Sequence, residues 1–132
     1  MPQSPSPATL LIVDGANVMG SVPDGWWRDR HGAAERLRDR LAATAASGFP
    51  GLPGDLEIVL VVEGAARGVR SVPGVTVSEA GGSGDDHIVY LAAEARDRPC
   101  VVVTADRGLR LRVTQMGAQT VGPRTVYGPA AD

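Results

Sequence analysis

Short apolar runs recur along the chain, each bounded by turn-forming residues, and between them lie stretches with a helical period. Thr9 to Asp14 (TLLIVD) is a continuous apolar run closed by a carboxylate and a glycine. A run of that kind predicts a strand buried on both faces, as in a parallel sheet. Leu56 to Val62 predicts a second buried strand, ending at Glu63-Gly64. Val75 to Val77 predicts a short third strand, Cys100 to Thr104 a fourth, and Gln119 to Val121 a last one. Between the first two strands, Gly20 to Asp29 carries the turn chemistry of Pro23, Asp24 and Gly25. From Asp29 to Ala46, Ala33, Ala34, Leu37, Leu41 and Ala45 fall on one helical face, with Asp29 placed as N-cap. Ser47 to Asp55 is a Gly/Pro-rich connector. Further helices are predicted over Asp85–Arg96 and Arg107–Gln115. Strands alternating with helices define an α/β chain with a central, mostly parallel sheet.

That order of elements matters because ligands of such sheets bind beyond the carboxyl ends of the strands. Three predicted strands end in an acid: Asp14, Glu63 and Asp106. Asp85 and Asp86 open a helix, so a parallel sheet brings all of these acids to one edge. Like charges gathered there call for a cation or for protonation. An all-oxygen donor set selects a hard ion, Mg²⁺ or Mn²⁺, rather than Zn²⁺. Such an ion can polarise a phosphoryl oxygen and activate water, so no nucleophilic side chain is required.

Each residue also has a plainer reading. Asp14-Gly15 and Glu63-Gly64 suit turns, and Asn17 suits either a local cap or a group orienting water or substrate. Ser83 to Asp86 matches a capping box, which assigns Asp86 a structural role and leaves Asp85 the functional one. Asp106 suits a helix cap as well as a metal ligand. Trp26-Trp27 suit base stacking or packing, with Arg28 and Arg30 as flanking phosphate contacts, and Arg107 is placed to reach a phosphate near Asp106.

Composition narrows the field. At 132 residues and 43% apolar, the chain can bury a core without disulfide or structural metal. Residues 1–8 read as a tail, 9–128 as one domain and 129–132 as a second tail. Cys100 is the single cysteine, and Leu10–Val13 is far too short for a leader or a membrane span. Both features point to the cytoplasm. Net charge is −2, which excludes a broad cationic coat for nucleic acid. All 13 basic residues are arginine, the expectation for a GC-rich coding sequence, yet arginine forks still suit phosphate locally.

Three segments, VDGANVMG (13–20), GSGDDHIVYLA (82–92) and VVVTADRGLR (101–110), together resemble the NYN branch of the PIN-like nuclease superfamily. The resemblance runs in order over nearly the whole chain. It implies a three-layer Rossmann-like PIN fold and a Mg²⁺- or Mn²⁺-dependent endoribonuclease acting on single-stranded RNA. It places Asp14, Asn17, Asp85, Asp86, Thr104 and Asp106 at the family's motif positions, with Asp14, Asp85 and Asp106, joined by Glu63, as metal carboxylates. Two departures stand out: Glu63 replaces the aspartate common in relatives, and the helix after Asp106 has no further acid.

Homodimers occur in PIN-like domains, but no apolar stripe in the sequence decides the point. Nothing internal marks a toxin held by an antitoxin. A non-catalytic RNA- or protein-binding module on the same fold is the competing reading. Receiver and phosphatase readings fail for want of a lysine and of an acid at Ala16, and no GxGxxG follows the first strand.

Overall fold

The computed structural model describes residues 8–49, 51–52 and 54–127. The predicted tails, apart from Ala8, lie outside them. Five strands, β1 (Thr9–Asp14), β2 (Leu56–Val62), β3 (Val75–Glu79), β4 (Cys100–Val103) and β5 (Gln119–Val121), form one sheet in the order β3-β2-β1-β4-β5. Every pairing is parallel, not merely most of them. β1 lies in the centre, with Leu11 opposite Ile58 on one side and Val101 on the other.

Alternation along β1 feeds two cores. Leu11 and Val13 pack with Leu37, Leu41, Ile58 and Leu60 beneath helices α1 (Gly15–Gly20) and α2 (Arg30–Ser47). Leu10 and Ile12 pack with Val59, Ile88, Leu109 and Val113 beneath α3 (Gly84–Glu94) and α4 (Arg107–Gln115). A short helix, α5 (Arg124–Tyr127), closes the described chain and adds Val126 to the first core. This three-layer arrangement is the expected one. Among the described residues no helix is long and apolar enough to cross a membrane.

Differences from the sequence reading are local. α1 occupies a segment with no visible helical period: six residues that begin and end with glycine are held by Asp14 at one cap, by the Ser21 hydroxyl on the Val18 carbonyl at the other, and by the buried Val18 and Met19. α2 begins as predicted, with Asp29 accepting from the Gly32 amide at 2.9 Å, but Ala45 is exposed because the last turn runs past the buried layer. β3 extends two residues further, where Glu79 still pairs with Val62.

Gly15 lies where α1 leaves β1 against β2. A Cβ there would collide with the Val61 carbonyl oxygen and press on the Leu60 side chain. Gly15→Ala is therefore expected to lower stability by about 1–3 kcal/mol, the usual scale of overpacking, seen as an earlier urea midpoint.

Candidate functional site

The strand order reverses between β1 and β4, so the crevice for a ligand lies at their carboxyl ends. Asp14 ends β1 there and is 5% exposed. One of its oxygens accepts from the Asn17 amide at 3.3 Å, capping α1, and the other accepts from the Thr104 hydroxyl at 2.9 Å. Thr104, fully buried after β4, also accepts from the Asp106 amide at 3.1 Å. Asn17 closes the circuit, its side-chain oxygen accepting from the Ala105 amide at 2.8 Å. Asp106 caps α4 by accepting from the Leu109 amide at 2.9 Å. Thus Asp14, Asn17, Thr104 and Asp106, drawn from two distant stretches of chain, form one hydrogen-bonded unit.

Glu63, after β2, accepts from the Gly84 amide at the start of α3 and so links two parts of the acidic edge. Asp85 follows in the first turn of that helix. Burial pushes the Asp14 carboxyl up to about 6, against the pull of its Thr104 and Asn17 hydrogen bonds and with further push from Asp85 and Glu63. The Asp85 carboxyl is also raised, by partial burial first and then by Asp106 and Glu63, with Arg112 opposing. Neighbouring carboxylates thus add to the effect of burial at both Asp14 and Asp85.

Asp86 is engaged differently, though its charge also adds to the push on Asp85. Its amide donates to the Ser83 hydroxyl at 3.1 Å, the expected cap, and its carboxylate, 72% exposed, pairs with Arg112 at 2.8 Å. The candidate Asp86 is thus held in an exposed ion pair between α3 and α4. Asp86→Asn is expected to leave any hydrolytic activity within about a factor of two of wild type, because exposed pairs contribute little. A large loss in a rate assay would place Asp86 back in the site.

The arginines divide. Arg107 is exposed in the first turn of α4 and makes no ion pair or side-chain hydrogen bond among the described residues. Arg110 instead donates to the Thr104 carbonyl at 2.8 Å, bracing the loop that carries Asp106. Arg28 and Arg30 lie over Trp27 and Trp26, at 5.8 and 5.5 Å from the ring centroids. His87 is engaged with Ser78 at 2.7 Å. Arg67, which donates to the Ala80 carbonyl at 2.8 Å, and the Gly84 amide that meets Glu63 carry no local signature in the sequence.

Among the described residues no group of three or more His, Cys, Asp or Glu side chains is placed to hold a metal ion. Three of the carboxylates already accept hydrogen bonds: Glu63 from the Gly84 amide, Asp106 from the Leu109 amide, and Asp14 from Thr104 and Asn17. The donor chemistry nonetheless suits a hard cation. All the candidate donors are carboxylate oxygens, they repel one another, and Mg²⁺ needs only one or two direct carboxylates while keeping its own waters.

A five-stranded, all-parallel sheet with helices on both faces is a Rossmann-like α/β arrangement, consistent with a PIN fold. No family model matches the sequence and no curated protein matches it. Among solved structures, a mutant form of Rae1 (YacP) from Bacillus subtilis is similar, with a TM-score of 0.66 and 20% identity over 89% of this chain and 71% of that one. At that identity the likeness is one of fold.

Proposed function

We propose that the acidic edge is the active centre of a metal-dependent endoribonuclease that hydrolyses phosphodiester bonds in single-stranded RNA. The observation that carries the reading is the Asp14–Thr104–Asp106 unit: a buried carboxylate held by two donors, beside three further acids, at the sheet's ligand crevice. The resemblance in sequence motifs and the likeness in fold support it.

Asp14, Asp85 and Asp106 would hold Mg²⁺ or Mn²⁺, with Glu63 beside them. When bound, such a cation polarises a phosphoryl oxygen and acidifies a bound water. The chain's own groups supply positioning and charge. Thr104 fixes Asp14 and, through its oxygen, the start of α4. Asn17 has its oxygen bound to Ala105, while its side-chain NH₂ makes no hydrogen bond among the described residues and can donate to a phosphate oxygen. Arg107 offers a charged fork to the same group. Hydrolysis adds water across the bond: oxygen attacks phosphorus, the sugar oxygen leaves, and a proton returns to it.

The absence of three converged ligands among the described residues favours a second reading, a PIN-like module that binds RNA or protein without cutting. Incubation with labelled single-stranded RNA and DNA in Mg²⁺, Mn²⁺ or EDTA separates the two. The nuclease reading expects RNA cleavage that EDTA stops. Absence of both cleavage and cation binding would give the site to the binding module.

A further inference from the structure

A cleft of about 390 Å³ opens beside the acidic edge, lined by Met19, Trp26, Arg30, Glu63, Arg67 and Ser83, among others. We propose that it is a subsite for one unstacked nucleotide of single-stranded RNA, with the base against Trp26 and the phosphate at Arg30 and Arg67. The strand's identity as RNA rests on the nuclease reading; the subsite itself does not require cleavage.

Size and lining carry the argument. The volume falls at the small end of ligand pockets, roughly 300–1,000 Å³, which suits one unstacked nucleotide rather than a base held in a duplex. Trp26 is half-buried against the first core, so its ring is held in place while still lining the cleft. Aromatic faces of this kind stack any base without reading its sequence. Arg30 lies over that ring and makes no ion pair or hydrogen bond among the described residues. Arg67 is anchored by one donated bond, 2.8 Å to the Ala80 carbonyl, and keeps further donors for an anion. In a chain of net charge −2 these cations are a local feature.

The neighbouring cleft sharpens the choice. It shares Met19 and Trp26 and measures about 260 Å³. Its cations are already engaged: Arg36 faces Asp24 at 4.0 Å, and Arg40 donates to the Val126 and Tyr127 carbonyls at 3.2 and 3.3 Å. In the first cleft no carboxylate among the described residues pairs with Arg30, which rests on the Trp26 ring, or with Arg67, which donates one bond to Ala80, and that cleft also borders Glu63. A nucleotide seated there brings the adjoining phosphodiester toward the acids.

The test is binding of a short fluorescein-labelled single-stranded RNA, followed by anisotropy in EDTA so that cleavage does not enter. Trp26→Ala should weaken binding by roughly ten-fold or more, and Trp26→Phe should keep most of it. Arg30→Gln, at an exposed position, should weaken binding and lower the salt slope by about one. Arg36→Gln, in the neighbouring cleft, should bind as wild type. Unlabelled single-stranded RNA should compete, and the corresponding duplex and a mononucleotide should compete poorly. Wild-type affinity in folded Trp26→Phe, Trp26→Ala and Arg30→Gln proteins alike would overturn the proposal, as would equal competition by duplex. Failure of the wild type to bind the RNA would also overturn it. Failure of metal-dependent cleavage alone would count against the nuclease reading and leave these results standing.

Discussion

Asp14→Asn is expected to make the cation-free protein more stable at neutral pH while slowing RNA hydrolysis at least ~100-fold, the scale of removing one group that stabilises transition-state charge. The two effects share a cause. Asp14 is buried beside other acids, and its carboxyl is raised from 3.8 to about 6 in the fold. A raised folded-state pKa means that the native protein holds this proton more tightly than the unfolded chain. The associated stability is fully present below the unfolded value, near 3.8, and is lost as pH rises through about 6. At about 1.4 kcal/mol per pH decade, ionised Asp14 costs the fold on the order of 3 kcal/mol above that window. Asparagine keeps an oxygen for the Asn17 amide or the Thr104 hydroxyl but carries no charge. Urea titrations in EDTA should therefore show variant and wild type alike near pH 4 and the variant more stable at pH 7.5. A divalent cation should raise the wild type and narrow the gap, because it binds the folded carboxylate. A variant less stable than wild type at both pH values would show that the Thr104 contact outweighs the burial of charge.

Asp106 separates its two roles by a pair of substitutions. Its carboxylate caps α4 through the Leu109 amide at 2.9 Å and stands exposed beside Asp85. Asp106→Asn keeps a capping oxygen, since asparagine is as good an N-cap as aspartate, but removes the charge. It should keep wild-type stability and lose at least ~100-fold in hydrolysis. Asp106→Ala loses the cap as well and should fall by about 1 kcal/mol in addition. Equal activity in wild type and Asp106→Asn would assign the residue to capping alone.

Much of this was readable before the fold was known, and the reason is physical. A central parallel strand is covered on both faces, so TLLIVD, LEIVLVV and CVVV announce themselves as apolar runs, and the acids at their ends follow from strand polarity. The caps at Asp29 and Ser83 are local and equally legible. What was hidden depends on partners distant in sequence. α1 and α5 are too short to show a period and hold by packing. Thr104 was placed in the site by its motif, but its bridge between Asp14 and Asp106 exists only because β1 and β4 are neighbours in a sheet whose order differs from the chain's. The turn of Glu63 toward the Gly84 amide, and the cleft joining Trp26 to Arg67, arise the same way. The metal reading is affected most: the sequence brings the acids to one edge, whereas the hydrogen bonds decide how far each carboxylate is already committed.

These acids are proposed to form one cation site centred on Asp14. Mn²⁺ titrated into wild type and Asp14→Asn side by side, with free ion followed by electron paramagnetic resonance, decides the point. The wild type is expected to bind one Mn²⁺ that Mg²⁺ displaces, with binding weakened at least ~10-fold in the variant, since carboxylates are the ligands that hard ions require. Equal binding by the two proteins, or none by the wild type, would contradict it.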